Sequence, residues 1–222
     1  MSPHMGTDLR IRPYEPRDRA AVRQICCDTA DAGKPVERFF PDREVIADLV
    51  TSYYTEFEPQ SAFVADNGSG AVGYLTGCVN TKRFVRVVTW RIAPVVFVKA
   101  LARGTLWHPQ TLRLFRANLG MWLTTGYRAG PTLYEYPAHL HVNLQNGFRG
   151  QHVGRRLVEA FFERARGVGV RGVHAGVSAN NPRACHFFEE LGFVEIHREP
   201  RFRSPDGSGT ILYTIIYART LD

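Results

Sequence analysis

The residues with the plainest chemical use lie in one stretch, from Ala138 to Gly154. Ala138-His139-Leu140-His141-Val142-Asn143-Leu144 alternates as a strand and runs through Gln145-Asn146-Gly147-Phe148 into Arg149-Gly150-Gln151-His152-Val153-Gly154. A turn that opens a helix exposes N–H groups with no intrahelical partner, and the helix dipole adds partial positive charge there. Such a turn receives phosphate oxygens. Gly150 and Gly154 let a ligand approach the backbone where a Cβ would obstruct it, and Arg149, Arg155 and Arg156 add charge suited to a pyrophosphate. The spacing is wrong for a P-loop, which needs GxxxxGK, and for the three-glycine dinucleotide fingerprint. Upstream, His139 and His141 stand two apart on the strand and so share a face, with Asn143 next on it. An imidazole accepts a proton near neutral pH; Asn143 can hydrogen-bond but cannot be a base.

The elements that position these residues follow from the pattern. Leu9 to Arg12 reads as a short strand after a disordered leader, and Asp18 as the N-cap of a helix with Ala21, Val22, Ile25 and Cys26 on one face. A second helix fits Arg43 to Tyr54, and Ser61–Ala65 and Ala71–Val79 form a hairpin around Asp66-Asn67-Gly68-Ser69-Gly70. Residues 80–136 hold few acids and several breakers. Within them Leu112, Phe115, Leu119 and Trp122 step as an amphipathic helix with Arg113 and Arg116 off the stripe. This is a helical insertion within a single domain spanning 1–222, and Trp90, Trp107 and Trp122 are expected to pack in its core. After Gly154 a helix carries Val153, Leu157, Ala160, Phe161 and Ala165 on one face. A strand at Val170–Val177 follows, then a helix opened by Pro182 and stopped by Gly192. Phe193–His197 and Thr210–Arg219 close the chain as strands around the turn at 204–209.

Composition excludes several classes. With 44% apolar residues in 222, the chain can bury a core, which rules out global disorder. The longest mostly apolar run, Ile92 to Ala102, is too short to span a bilayer, and the N-terminus shows no secretory pattern. The expectation is a soluble, cytoplasmic protein with no membrane partner. The formal net charge of +7 suits an anionic partner, whether nucleic acid, an anionic membrane or a phosphorylated cofactor, and the dispersed arginines, with no run of five, weigh against nucleic acid. Cys26, Cys27, Cys78 and Cys185 make no CxxC pair and no zinc-like spacing with histidine, so reduced thiols and no metal are expected. The lone His4, His108, His174 and His197 read as surface or structural residues.

Arg149-Gly150-Gln151-His152-Val153-Gly154 resembles motif A of the GNAT superfamily of acyl-CoA N-acyltransferases, whose pattern is Arg/Gln-x-x-Gly-x-Gly/Ala after the fourth strand, with His152 standing where the first glycine belongs. Asn181-Pro182-Arg183-Ala184 followed by Phe188 to Phe193 resembles the family's N-x-x-A…Y-x-x-x-G-F helix. The long insertion and the Arg12-Pro13-Tyr14 opening resemble the acetyltransferase-like C-terminal domain of O-GlcNAcase and its stand-alone bacterial relatives.

The resemblance implies an α/β fold with a mixed, mostly antiparallel sheet flanked by helices, the insertion lying between strands 3 and 4. It implies acetyl-CoA as cosubstrate, no metal and an amine acceptor, a small molecule or a protein lysine; the oligomeric state is not readable from the sequence, although the insertion or the last strands could form a homodimer interface. Leu140, Val142 and Leu144 would pair their backbone with the pantetheine, amides from Phe148 through Gly150, Gln151, His152, Val153 and Gly154 to Arg155 would hold the pyrophosphate, and Asn181, Ala184 and Phe188 would flank the thioester end. His139 or His141 would be the base, assisted by Asn143, and a backbone N–H near Val142 to Leu144 would polarise the carbonyl. Many members use a tyrosine to protonate the departing thiolate; that position here is Phe188. A pseudo-acetyltransferase that binds acetyl-CoA or CoA and a partner is therefore the second reading.

Overall fold

A computed structural model of the chain describes residues 9–125, 135–203 and 210–221. Seven strands form one sheet: β1 (Arg10–Pro13), β2 (Ala62–Asp66), β3 (Ala71–Cys78), β4 (Ala138–Leu144), β5 (Gly172–Ser178), β6 (Val194–Arg203) and β7 (Ile211–Thr220), in the order β1-β2-β3-β4-β5-β7-β6. Every neighbouring pair is antiparallel except β4 and β5, which run parallel at the centre.

Alternation along the strands divides the core. Leu75, Ala138 and Leu140 point to the face covered by α6 (Val153–Gly167) and α7 (Pro182–Glu190), where Leu157, Phe161 and Phe188 complete a buried cluster. Gly77 lets α6 lie close, because a Cβ there would sit 2.1 Å from the Phe161 ring. Val64 and Tyr74 point the other way, onto Val22, Ile25 and Cys26 of α1 (Arg19–Thr29). Beside α1 lies α2 (Arg43–Ser52), whose N-terminus is capped by Asp42. It runs into a single π-helical turn, Tyr53–Phe57, where helix continuing to Tyr54 was expected. That turn places Tyr53 and Tyr54 in a buried aromatic cluster with Phe84.

Between β3 and β4 stand α3 (Thr81–Val87), a π turn at Val88–Ile92, α4 (Ala93–Ala102) and α5 (Pro109–Thr125). Ile92, Val96 and Ala100 pack inward against Val45 and Tyr53. Two expectations fail here. Trp90 and Trp107 are 76% and 70% exposed rather than in a core, and the Leu112, Phe115, Leu119 stripe faces outward. The buried side of α5 is instead Thr111 and Asn118, which periodicity passed over because both are polar. The side chain of Trp122 and the turn at 204–209 lie outside the described residues, as does His4. Asp18 does occupy the N-cap position of α1, but its carboxylate bonds the Arg12 guanidinium and the Glu15 N–H instead of the helix. The last hairpin outruns its sequence pattern: β6 continues to Arg203 because its ladder with β7 absorbs irregular registers at Glu195/His197 and Pro200/Phe202.

Candidate active site

β4 and β5 are paired at only two positions, Ala138 opposite Val173 and His139 opposite His174, while β4 stays laddered to β3 from His139 to Leu144. Beyond His139 the two central strands part, leaving an open edge in the middle of the sheet. Gln145 N–H donates to Val72 O on the β3 side and Leu144 O accepts from Arg149 Nε. Alternation then turns the N–H and C=O groups of Leu140, Val142 and Leu144 toward the gap. The Leu144 carbonyl is already taken by Arg149, 3.2 Å away.

His139, His141 and Asn143 share the face opposite α6, but their surroundings differ. His139 is buried, with Tyr54 Oη 2.8 Å from Nε2 and Thr81 Oγ1 2.7 Å from Nδ1. Thr81 Oγ1 also lies 2.8 Å from Pro137 O, which can only accept. The threonine hydrogen goes to that carbonyl, so His139 donates from Nδ1 to Thr81 and accepts the Tyr54 hydroxyl hydrogen at Nε2. Both ring nitrogens are used, and desolvation, reinforced by His141 and His174, holds the pKa well below the ordinary histidine value. His139 is a neutral, fixed group with no lone pair for an acceptor amine.

His141 is open to the gap, and neither ring nitrogen bonds a described residue. Desolvation by the surrounding walls, then Arg201 and His174, push its pKa down to about 4. His141 is itself exposed, which offsets part of that desolvation, so the direction carries the argument: at neutral pH His141 is unprotonated. Asn143 donates from Nδ2 to Tyr74 Oη at 2.8 Å. His174, which the sequence reading set aside as a lone histidine, completes the cluster; its ring is 5.6 Å from that of His139, and Nδ1 donates to Tyr136 O at 2.7 Å. Only the two-position pairing of β4 with β5 brings it here, a contact between residues 35 apart that no local spacing signals.

The turn after β4 has the glycine-containing, helix-opening form that can receive an anion. A 3-10 turn at Asn146–Phe148 leads to Gly150 at φ +78 and His152 at φ +56, after which α6 begins. His152 thus adopts the left-handed conformation that glycine takes at no cost, and carries the strain of a side chain there. Nothing lies within 4 Å of a Cβ built on Gly150. Gly154 has a different use from the expected one, since its Cβ would meet the Phe187 ring at 3.1 Å; it lets α7 pack on α6. Arg149 forms no ion pair with a described residue, and burial together with Arg183 disfavours its charged form, an arrangement an anion would relieve. Arg155 and Arg156 are committed elsewhere, to Glu190 O and Leu9 O. Across the gap, Asn181 caps α7 by accepting from Ala184 N–H, while Phe188 is buried between Phe193 and Tyr217.

A separate hollow of about 490 Å³ lies between α2 and the end of α4, lined by Glu37, Asp42, Arg103 and His108. Its buried carboxylate is satisfied by Arg103 and Thr105, so it offers no open chemistry. Among the described residues no cluster of His, Cys, Asp or Glu is arranged to hold a metal, and no helix is long and apolar enough to cross a membrane.

A mixed sheet that opens between two parallel central strands, with a helix-opening anion turn beside the gap, is the architecture of acyl-CoA-dependent acyltransferases. The sequence model of the Acetyltransferase (GNAT) family matches residues 126–193. The crystal structure of SsHAT is similar, at 30% identity and a TM-score of 0.74, over 96% of this chain and 98% of that one. A GNAT superfamily phosphinothricin acetyltransferase from Sinorhizobium meliloti, solved in complex with acetyl-CoA, shares the fold at 16% identity and a TM-score of 0.55, covering 96% and 88% of the two chains. Protein O-GlcNAcase of Rattus norvegicus is 21% identical over 192 residues, 86% of this chain but 21% of that protein, so the chain spans about a fifth of the curated relative. The chain belongs to the GNAT acetyltransferase family.

Proposed function

We propose that the protein transfers an acetyl group from acetyl-CoA to a primary amine by direct attack, with His141 as the base. The observation that carries this reading is that His141, unlike His139 and His174, presents to the gap between β4 and β5 an imidazole that bonds no described residue. The chain fits the cosubstrate on its own geometry. The backbone edge at Leu140 and Val142 would pair with an extended pantetheine arm, and the N-terminus of α6 with Arg149 would take the pyrophosphate. Acetyl-CoA supplies the activated acyl group. His141, directly or through one water, accepts the amine proton, and negative charge developing beside it raises its basicity. The N–H of Val142, turned into the gap, stabilises the charge growing on the thioester oxygen. Phe188 has no proton to give, so the thiolate leaves as the anion.

That last feature favours a second reading, a protein that binds acetyl-CoA or CoA and a partner without turnover. The two are separated by calorimetric titration with acetyl-CoA, run alongside Arg149→Glu, and then by an amine and peptide screen. Binding that Arg149→Glu weakens, with turnover that His141→Ala abolishes while binding persists, supports the enzyme. Binding with no turnover of any acceptor supports the second reading, and no binding overturns both.

A further inference from the structure

On the face that carries His141, the gap between β4 and β5 is poor in acid. β3, β4, β5 and β7, the strands on either side of it, hold no Asp or Glu. The sequence from Asn67 to Tyr134, which includes α3, α4 and α5, holds none either. Across α1, α2 and the turn at Tyr53–Phe57, every Asp and Glu from Asp28 to Glu56 is already held in an ion pair. The buried Glu58 accepts from Tyr53 Oη and Val79 N–H. On β6, Glu195 pairs with Arg198, while Glu199, like Glu135 before β4, is exposed. An acceptor with a second positive charge, such as a diamine, would therefore find no carboxylate on the strands that bound the gap.

Arg201 supplies the opposite charge. It is the extra residue of a bulge in β6, since Pro200 faces Tyr213 and Phe202 faces Leu212 on β7. A bulge takes its residue out of the strand's alternation and re-aims the side chain. β6 also packs against α5, so Arg201 stands on the strand that meets the insertion. It touches solvent, yet its surroundings disfavour its charged form, and its charge is felt at His141. The two groups therefore stand close enough for one small molecule to meet both. A guanidinium presents several N–H donors in a planar fork, so it can keep a contact within the protein and still take a carboxylate. Such a carboxylate would offset the cation that depresses His141, leaving the base stronger with this acceptor bound than without it.

We infer that the acceptor is a small amine that also carries a carboxylate, an amino acid or a close analogue, with Arg201 as the residue that selects it. This rests on the acetyl-transfer reading: the amine nitrogen bonds the acetyl carbon, the CoA thiolate leaves and His141 takes the proton, while the carboxylate stays on Arg201. The test sets α- and ω-amino acids beside the amines that lack their carboxylate and beside diamines of equal length. Turnover is followed with acetyl-CoA, and binding by calorimetry on the CoA-loaded full chain. Amino acids should exceed both comparison sets at least about tenfold in kcat/KM and in affinity. Arg201→Met should erase that preference, raising KM for the amino acids about 10- to 100-fold with a smaller change in kcat. Arg201→Lys, which keeps the charge and loses the fork, should recover part of it. Retained acetyl-CoA affinity and an unchanged circular dichroism spectrum show that the variants are folded. Plain amines or diamines used as well as amino acids, or a preference that survives Arg201→Met, overturn this proposal and leave the acetyltransferase reading standing. Failure of every amino acid to bind or react overturns it too. Selective binding without turnover upholds the amino acid site and overturns acetyl transfer.

Discussion

The hydrogen-bond chain Tyr54–His139–Thr81–Pro137 has a definite direction, and that direction can be measured. Replacing Tyr54 by Phe removes the hydroxyl that donates to His139 Nε2 and leaves a buried acceptor bare, because Tyr54 and His139 are both buried. An unsatisfied buried acceptor costs about 1–3 kcal/mol. At a central value of about 2 kcal/mol, a chain of this size loses roughly 4–8 °C in Tm. Urea unfolding followed by circular dichroism gives the free energy, and nitrogen-15 NMR of the histidine rings gives the tautomer. The wild type and Tyr54→Phe should both show the Nδ1–H form of His139. Thr81→Val, which removes the acceptor of that proton, should switch the ring to Nε2–H, with Tyr54 turning from donor to acceptor. A wild-type Nε2–H tautomer, or a Tyr54→Phe cost below about 0.5 kcal/mol, would refute the assignment and reopen His139 as a candidate base.

Arg149→Met should weaken CoA about 10- to 100-fold while leaving pantetheine, which lacks the phosphates, unchanged in calorimetry; equal losses for both would mean that Arg149 acts only through Leu144. Arg12→Met should cost about 3 kcal/mol in urea melts, because Asp18, 5% exposed, loses its two-pronged partner. Burial raises the Asp18 pKa, but the Arg12 bonds and the Glu15 N–H outweigh it and the net shift is downward. A carboxylate with a lowered folded pKa gives stability that is present above its unfolded value near 4 and lost as pH falls through the folded one. The gap between wild type and variant should therefore be full at pH 6 and shrink below about pH 4. Gly77→Ala should destabilise by about 1–3 kcal/mol, since its Cβ would overlap the buried Phe161 ring; a neutral result would show that α6 shifts freely on the sheet.

Much of the fold was legible because local and global signals agree. β4 falls at Ala138–Leu144 and α6 starts at Val153, where an alternating strand, a glycine turn and a 3.6-residue stripe stand in sequence. The placement of His139 and His141 on one face was equally readable. What separates them was not, since the enclosure of His139 comes from Tyr54 and Thr81, 85 and 58 residues away in the chain. Periodicity also misjudged the insertion, because it marks which residues are apolar without saying whether anything lies beside them. Trp90 and the Leu112, Phe115, Leu119 stripe were read as inward on that ground alone.

The brevity of the pairing between β4 and β5 has a mechanical consequence. Four strands on one side and three on the other are joined at the centre by two residues per strand, so the sheet is two stiff plates on a narrow hinge. α6 packs on the larger plate, against β2, β3 and β4, while α7 packs on β5 of the smaller one. Any extended guest that took the free edge of β4 would act as the missing rung between the plates. Amide exchange should then slow in both plates at once, and the span of that slowing would measure how far a small ligand can stitch a divided sheet into one cooperative unit.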